Sequence, residues 1–184
     1  KNIQQQETTP NFNVTFDLAS YRPNTNCSSM QIKKAVHAIA ESKRPIIYAG
    51  GGIIAGEASG ELKAFIRKTG IPITNTVMGL GSYPMNDPLS LQMLGMHGAV
   101  YANIAINQAD LVIALGVRFD DRVTGKLAEF CKNAKFIHVD IDASEINKNI
   151  MVDIPIQGDV KQALKMMNDR VEPKKKYWPV DQAD

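Results

Sequence analysis

Residues 45–76 read PIIYAGGGIIAGEASGELKAFIRKTGIPITNT, and this stretch decides the fold. A short apolar run from Pro45 meets three glycines, a helical pattern follows, and a second apolar run begins after Gly70. That order is strand, tight turn, helix, strand, the unit that lays two parallel strands side by side. Working outward, SSMQIKKAVHAIAES before it places Ile32, Val36, Ile39 and Ala40 on one helical face, with Ser28 or Ser29 as N-cap and Arg44-Pro45 beyond the stop. Downstream, LVIALG (111–116) and KFIHVDID (135–142) are near-continuous apolar runs of the kind buried on both faces of a parallel sheet. VTGKLAEFCKNA (123–134) fits a helix between them. IPIQ (154–157) fits a last short strand, and DVKQALKMMNDR (159–170) a closing amphipathic helix capped by Asp159. The fold class is therefore α/β: a doubly wound, mostly parallel, Rossmann-like sheet flanked by helices, with any ligand expected across the C-terminal ends of the strands.

The 184 residues suit one domain with a full core. Residues 1–27 are polar, hold two prolines and lack periodicity, so they read as a linker or arm, the domain proper runs 28–171, and the charged, proline-bearing tail 172–184 reads as a second linker. A net charge of +2 with scattered basic residues gives no footprint for nucleic acid or an anionic membrane. No run approaches the ~20 apolar residues of a membrane span, and the chain does not open with a secretory leader. Cys27, Cys131 and the three histidines fall into no metal-ligand spacing and no disulfide framework. The expectation is a soluble protein in a reducing, intracellular setting, with no metal site.

Five turns along the strand ends, and a sixth after the last short strand, carry the candidate chemistry. Gly50-Gly51-Gly52-Ile53-Ile54-Ala55 satisfies G-x-G-x-x-A, where small residues let backbone approach a pyrophosphate. The acid that usually holds a ribose at the end of the next strand is absent, because that strand ends Ile73-Thr74-Asn75-Thr76. A tight turn without a ligand explains the triplet equally well. TVMGLGSYP (76–84) sets two glycines at the sheet edge. LGMHGAVYAN (94–103) brackets Met96 and His97 with Gly95 and Gly98, and no nucleophile or base-orienting partner accompanies His97, so no residue is assigned a catalytic role. GVRFDDRVTG (116–125) offers Arg118 and Arg122 as phosphate clamps with Asp120 and Asp121 to orient them, although a solvated charge run capping a helix reads the same way. HVDID (138–142) supplies at Asp140 the missing ribose acid, and Gly158-Asp159-Val160 puts another acid on the same rim. An extended dinucleotide is the simplest occupant of a rim that gathers all of these.

The run MGLGSYPMNDPLSLQMLGMHGAVYANIAINQADLVIALGVRFDDRVTGKLAEF, continuing through KFIHVDIDASEINKN and GDV, resembles the large catalytic subunits of the acetohydroxyacid (acetolactate) synthase family, thiamine-diphosphate enzymes, across roughly residues 28–170. MLGMHG with GVRFDDRVTGK carries the likeness most specifically. The resemblance implies the central one of three α/β domains, holding FAD in a mostly structural role, in an enzyme that condenses two 2-ketoacids with decarboxylation for branched-chain amino acid synthesis. It implies that Gly51 and Gly52 approach the diphosphate, and that Thr76 and Val77 line the ribityl-flavin side. Leu94, Gly95, Met96 and His97 would contact flavin and ribityl, while Gly116, Val117, Arg118, Phe119 and Asp120 run along the cofactor. Asp140 and Ile141 would hold the adenosine ribose, with Asp159 and Val160 beside the adenine, and Met96, Asp121 and Arg122 would face the substrate and herbicide channel. Thiamine diphosphate and Mg2+ would be held by the N- and C-terminal domains, which this chain lacks, so the chain alone is expected to be inactive and to be a piece cut at domain boundaries. The whole enzyme would be a homodimer or tetramer with a small regulatory subunit, cytoplasmic, or plastid or mitochondrial in a eukaryote. The competing readings are a free-standing nucleotide-binding or regulatory module of the same fold and, well below it, a sirtuin-like deacylase, for which zinc cysteines and a suitably placed catalytic histidine are missing.

Overall fold

The computed structural model describes residues 2–10, 12–13 and 23–173; the expected tail linker from 174 onward and residues 1, 11 and 14–22 of the expected arm lie outside them. Six strands form one sheet: β1 (Pro45–Ala49), β2 (Ile73–Asn75), β3 (Ser90–Met93), β4 (Leu111–Leu115), β5 (Lys135–Asp140) and β6 (Ile154–Gln157). The spatial order is β3-β2-β1-β4-β5-β6, and every pairing is parallel. The chain starts at β1, winds outward to β3, then crosses back over β1 to β4 and winds the other way. The winding direction therefore reverses between β1 and β4, which is where a doubly wound sheet opens a crevice at its C-terminal edge. Pro45 through Ala49 and Leu111 through Leu115 are buried throughout, which is why both read as unbroken apolar runs rather than alternating ones.

Helices α1 (Ser29–Glu41), α2 (Gly51–Ala55), α3 (Ser59–Thr69), α4 (Val100–Gln108), α5 (Asp121–Thr124) and α6 (Val160–Asn168) cover the two faces. One core packs α1, α3 and α6 on Ile47, Ile73, Ile113, Ile137 and Ile156. The other packs α4 and the aromatic rings of Phe119, Phe130 and Phe136 on Ile46, Tyr48, Val112 and Ala114. Strand alternation divides the isoleucines between them. Ser28 caps α1, its hydroxyl accepting from Gln31 N–H, and Asp159 caps α6 by accepting from Gln162 N–H at 2.8 Å.

Four local expectations change. In α1 the inward face is Ile32, Ala35 and Ile39, with Val36 half-buried and Ala40 exposed, since Ala35 lies one turn from both Ile32 and Ile39. The helix after the glycine triplet is two helices, broken at Gly56 and Glu57, where Glu57 takes φ +50°. β3 was not anticipated. Residues 123–134 are not a helix: Gly125, at φ +56°, ends the four-residue α5, and after a short 3-10 turn Cys131 sits at φ +46° in a buried turn. At the N-terminal side, Thr25 and Cys27 join the domain through the turn before α6: Thr25 carbonyl accepts from Asp159 N–H at 3.0 Å, and Cys27 N–H donates to Gln162 Oε1 at 2.7 Å.

Candidate cofactor site at the sheet switch point

At the C-terminal edge, over the reversal between β1 and β4, lies a cavity of about 940 Å³, near the upper end of the range for small-molecule and cofactor sites. Five turns from distant parts of the chain line it.

The glycines after β1 divide their work. A Cβ built on Gly52 would stand 2.7 Å from Gly116 Cα, and one on Gly116 would stand 2.6 Å from Gly52 Cα. These two residues are small because the turns after β1 and β4 pack backbone against backbone, and Gly116 also has φ +60°. Gly51 differs: its Cβ would meet only Met78, at 3.1 Å from Met78 Cβ, and it lines the cavity. Gly51 is therefore where backbone is left bare toward a ligand.

After β2, buried Asn75 donates from Nδ2 to Gly79 carbonyl at 3.0 Å and to Ser82 Oγ at 2.9 Å, and Thr76 Oγ1 accepts from Gly79 N–H. This brace presents Thr76, Val77 and Met78 to the cavity. After β3, Asn103 on α4 grips Gly95 from both sides, its Oδ1 accepting from Gly95 N–H at 3.2 Å and its Nδ2 donating to Gly95 carbonyl at 3.1 Å. Gly95, at φ +107°, rests against Arg122 carbonyl, which accepts from Met96 N–H. Leu94, Met96 and His97 line the cavity, and Gly95 lies behind them.

The segment after β4 alternates. Val117 and Phe119 are buried, while the side chains of Arg118 and Asp120 are 72% and 50% exposed, and these two line the cavity with Gly116, Arg122 and Val123. Phe119 takes φ +48°, an uncommon and strained choice for a bulky side chain. Its ring lies 5.1 Å from His138, 5.8 Å from Tyr48 and 5.8 Å from Phe136, so the side chain packs into the core and does not line the cavity. Asp120 is held below its usual value by the hydrogen bond shared with Asp121 and by Arg122 N–H. Its pair with Arg118 is long, 3.8 Å, and solvated, so both charges stay available to a ligand.

Asp140, Asp142 and Glu145 form the opposite, acidic end. Burial raises Asp140, while the N–H of Asp142 donating to Oδ1 at 2.9 Å works the other way; a half-buried carboxylate at a strand end is a ready acceptor for hydroxyls. Ile141 is 41% exposed and off the cavity wall, Asp121 is likewise absent from it, Asp159 caps α6 and Val160 is in the core. Lining residues not singled out from the sequence are Tyr48, Met78, Met93, Val123, Asp142 and Glu145. Met78 and Asp142 sit inside motifs that were, and Tyr48 reads as strand. Among the described residues, no group of three or more His, Cys, Asp or Glu is placed to hold a metal ion, and no helix is long and apolar enough to cross a membrane.

A 3-2-1-4-5-6 parallel sheet with a glycine-walled cavity at its reversal point, basic in the middle and acidic at one end, defines an α/β domain of the cofactor-binding doubly wound class. Residues 32–167 match the family described as thiamine pyrophosphate enzyme, central domain, and the chain belongs to it. The chain is 52% identical over 174 residues to acetolactate synthase 3, chloroplastic, of Brassica napus, which takes in 94% of this chain and 26% of that protein. It is 49% identical over 174 residues to acetolactate synthase, chloroplastic, of Arabidopsis thaliana, with the same coverage. Against the acetolactate synthase large subunit of Buchnera aphidicola subsp. Schizaphis graminum it is 48% identical over 158 residues, 86% of this chain and 28% of that one. The chain thus spans about a quarter of the length of these relatives.

Proposed function

We propose that this chain is the FAD-holding middle part of an acetolactate-synthase-type large subunit, in which thiamine diphosphate and Mg2+ are held by other domains of the polypeptide and two 2-ketoacids are condensed. The observation that carries the reading is the single cavity joining five separate rim turns, inside a segment about half identical to acetolactate synthases. The residues suit the group. Gly51 leaves backbone bare where a Cβ would fill the wall, and Arg118 is a solvated cation free to meet a diphosphate. Asp140 can accept from ribose hydroxyls, and Val77, Met78, Met93 and Met96 offer soft apolar surface for a flat ring system. The flavin supplies a potential redox centre when bound; in this reading the chain's residues bind and orient it and supply no catalytic group of their own. The rest of the large subunit, a second copy of it and a small regulatory subunit are the partners this reading carries, in the cytoplasm or, as for the relatives named chloroplastic, in a plastid.

The test is titration of residues 1–184 with FAD, followed by flavin fluorescence, beside an Arg118→Ala variant. Saturable binding weakened roughly ten- to a hundredfold by the variant is expected, the scale of one charge-assisted contact. No binding at high micromolar FAD, either by the chain or by a longer polypeptide carrying the flanking domains, would refute the reading.

A further inference from the structure

His138 is an anomaly in β5. Its neighbours Ile137 and Val139 are fully buried aliphatics, and His138 is itself 0% exposed, although a polar ring there must find a partner or lose its hydration without return. The partner it finds is not in the strand ladder. Its Nε2 lies 2.8 Å from Val117 carbonyl; a carbonyl can only accept, so Nε2 carries the hydrogen, and the ring is the Nε2–H tautomer. Burial lowers the proton affinity of the ring, against the pull of that carbonyl and of Asp140, which favours the neutral form, and its Nδ1 has no partner among the described residues.

The place of this bond gives it a use. Val117 lies beyond the last residue of β4, where the chain leaves the ladder and turns along the cavity. On the far side of Arg118, Phe119 carbonyl accepts from Asn149 Nδ2 at 3.0 Å, and the Phe119 ring meets the His138 ring edge to face at 5.1 Å and 78°. Arg118 is thus a cavity-facing side chain strung between two pinned residues, and His138 touches both pins. Phe119 is held at φ +48°, a conformation that persists only where its surroundings determine it.

We propose that His138 is a positioning residue for Arg118: its Nε2–H holds Val117 carbonyl and its ring seats Phe119, so that the loop 116–120 keeps Arg118 aimed into the cavity. This rests on the cofactor reading above for its consequence, but not for its geometry, so the two fail separately. The experiment compares His138→Leu, which keeps bulk and removes the donor, with His138→Gln, whose amide can still donate from the Nε2 position. His138→Met, more adaptable in a core, replaces the Leu variant should that one not fold.

Amide hydrogen exchange over residues 116–122 reads the loop without any ligand. On the order of tenfold faster exchange there is expected in the donor-less variant, the scale of one net hydrogen bond, with exchange in β5 itself unchanged and the Gln variant close to wild type. FAD affinity, measured with Arg118 present and in an Arg118→Ala background, is expected to fall roughly tenfold in the first and hardly at all in the second, because the histidine acts through the arginine. Unchanged loop exchange in the donor-less variant overturns the proposal, as does an equal affinity loss in both backgrounds, which would mark a general structural role. If neither the wild-type chain nor the longer polypeptide carrying the flanking domains binds FAD, the cofactor reading falls and the exchange result alone decides the positioning role.

Discussion

Gly51 and Gly52 are adjacent members of one glycine motif, yet the structure requires that they fail differently when given a methyl group. For Gly52→Ala the new Cβ would stand 2.7 Å from Gly116 Cα. The obstacle is backbone that is itself fixed by Gly116 N–H donating to Val139 carbonyl at 2.8 Å, so it cannot swing aside. Overpacking of this kind costs about 1–3 kcal/mol, and a backbone obstacle puts it at the upper end. Because Gly52 is helical, alanine returns about 1 kcal/mol of helix propensity, leaving a net loss of about 2 kcal/mol, or roughly 4–8 °C in Tm for a chain of this size. For Gly51→Ala the only neighbour is Met78, at 3.1 Å from its Cβ, on a 3-10 turn whose Met78 side chain is exposed. A shift of a few tenths of an ångström relieves the contact, so stability should stay within about 1 kcal/mol of wild type. FAD affinity should fall instead, because the methyl group stands on the cavity wall. Urea denaturation followed by circular dichroism, paired with flavin titration, separates the two. Gly60→Ala, built into open space on the exposed side of α3, serves as the control and should gain about 0.5–1 kcal/mol. A neutral or stabilising Gly52→Ala, or losses of stability and affinity in the same proportion in both variants, would contradict this division of work between the two glycines.

Burial pushes the Cys131 thiol up to about 12 and partial burial that of Cys27 up to about 11, so the native chain should react with an aromatic disulfide reagent at pH 8 far more slowly than the same chain in urea; a full two-thiol titre in the folded state as fast as in urea would contradict the burial of Cys131 and the partial burial of Cys27. Burial holds His138 below its ordinary 6.5, so as pH falls through 6.5 the unfolded chain takes up the proton first. Stability fully present above 6.5 should therefore decline below it, and His138→Gln should flatten that decline in urea midpoints across a pH series. Asp140, raised by burial, contributes in the opposite sense, gaining on acidification, and the variant isolates the histidine part. Asn75→Ala removes two hydrogen bonds, although Gly79 carbonyl still accepts from Ser82 N–H at 3.1 Å, so a loss of about 1–3 kcal/mol is expected, accompanied by faster proteolysis within 76–83; an unchanged midpoint would show that the loop is held by something else.

The parts legible in the sequence were those whose physics is local. Unbroken apolar runs gave β1, β4 and β5 because a strand covered on both faces admits no alternation, and glycines and acids placed after those runs gave the rim. β3 left no such mark. It is an edge strand in which Ser90 and Leu91 alone are buried, its register on β2 slips between Ile73 and Asn75, and Gln92 takes φ +59°; its existence is decided by β2 rather than by its own residues. Residues 123–134 misled for the opposite reason. Val123, Leu127, Phe130 and Cys131 have helical spacing, but Phe130 is drawn into the aromatic cluster, 6.4 Å from both Phe119 and Phe136, and tertiary packing overrides the period.

Which rim residues face the cavity and which face the core was the least legible part, and the structure supplies the rule. Strand parity runs on past the last ladder bond. Along β5, Phe136, His138 and Asp140 share one side; the first two enter the core beneath α4, and the third, at the strand's end, reaches the cavity. After β4, Val117 and Phe119 go inward, and Arg118 and Asp120 outward. A run such as GVRFDDR therefore mixes two populations that no local composition separates: residues that hold the loop's shape and residues that the shape exposes. The left-handed φ at Phe119 serves the first population, because it lets an aromatic anchor turn down between two outward charges without ending the loop. Seen this way, the inward aromatic and the buried histidine beneath it are what make two solvated charges into parts of a defined site, and the charges by themselves would have been a capped, mobile helix start.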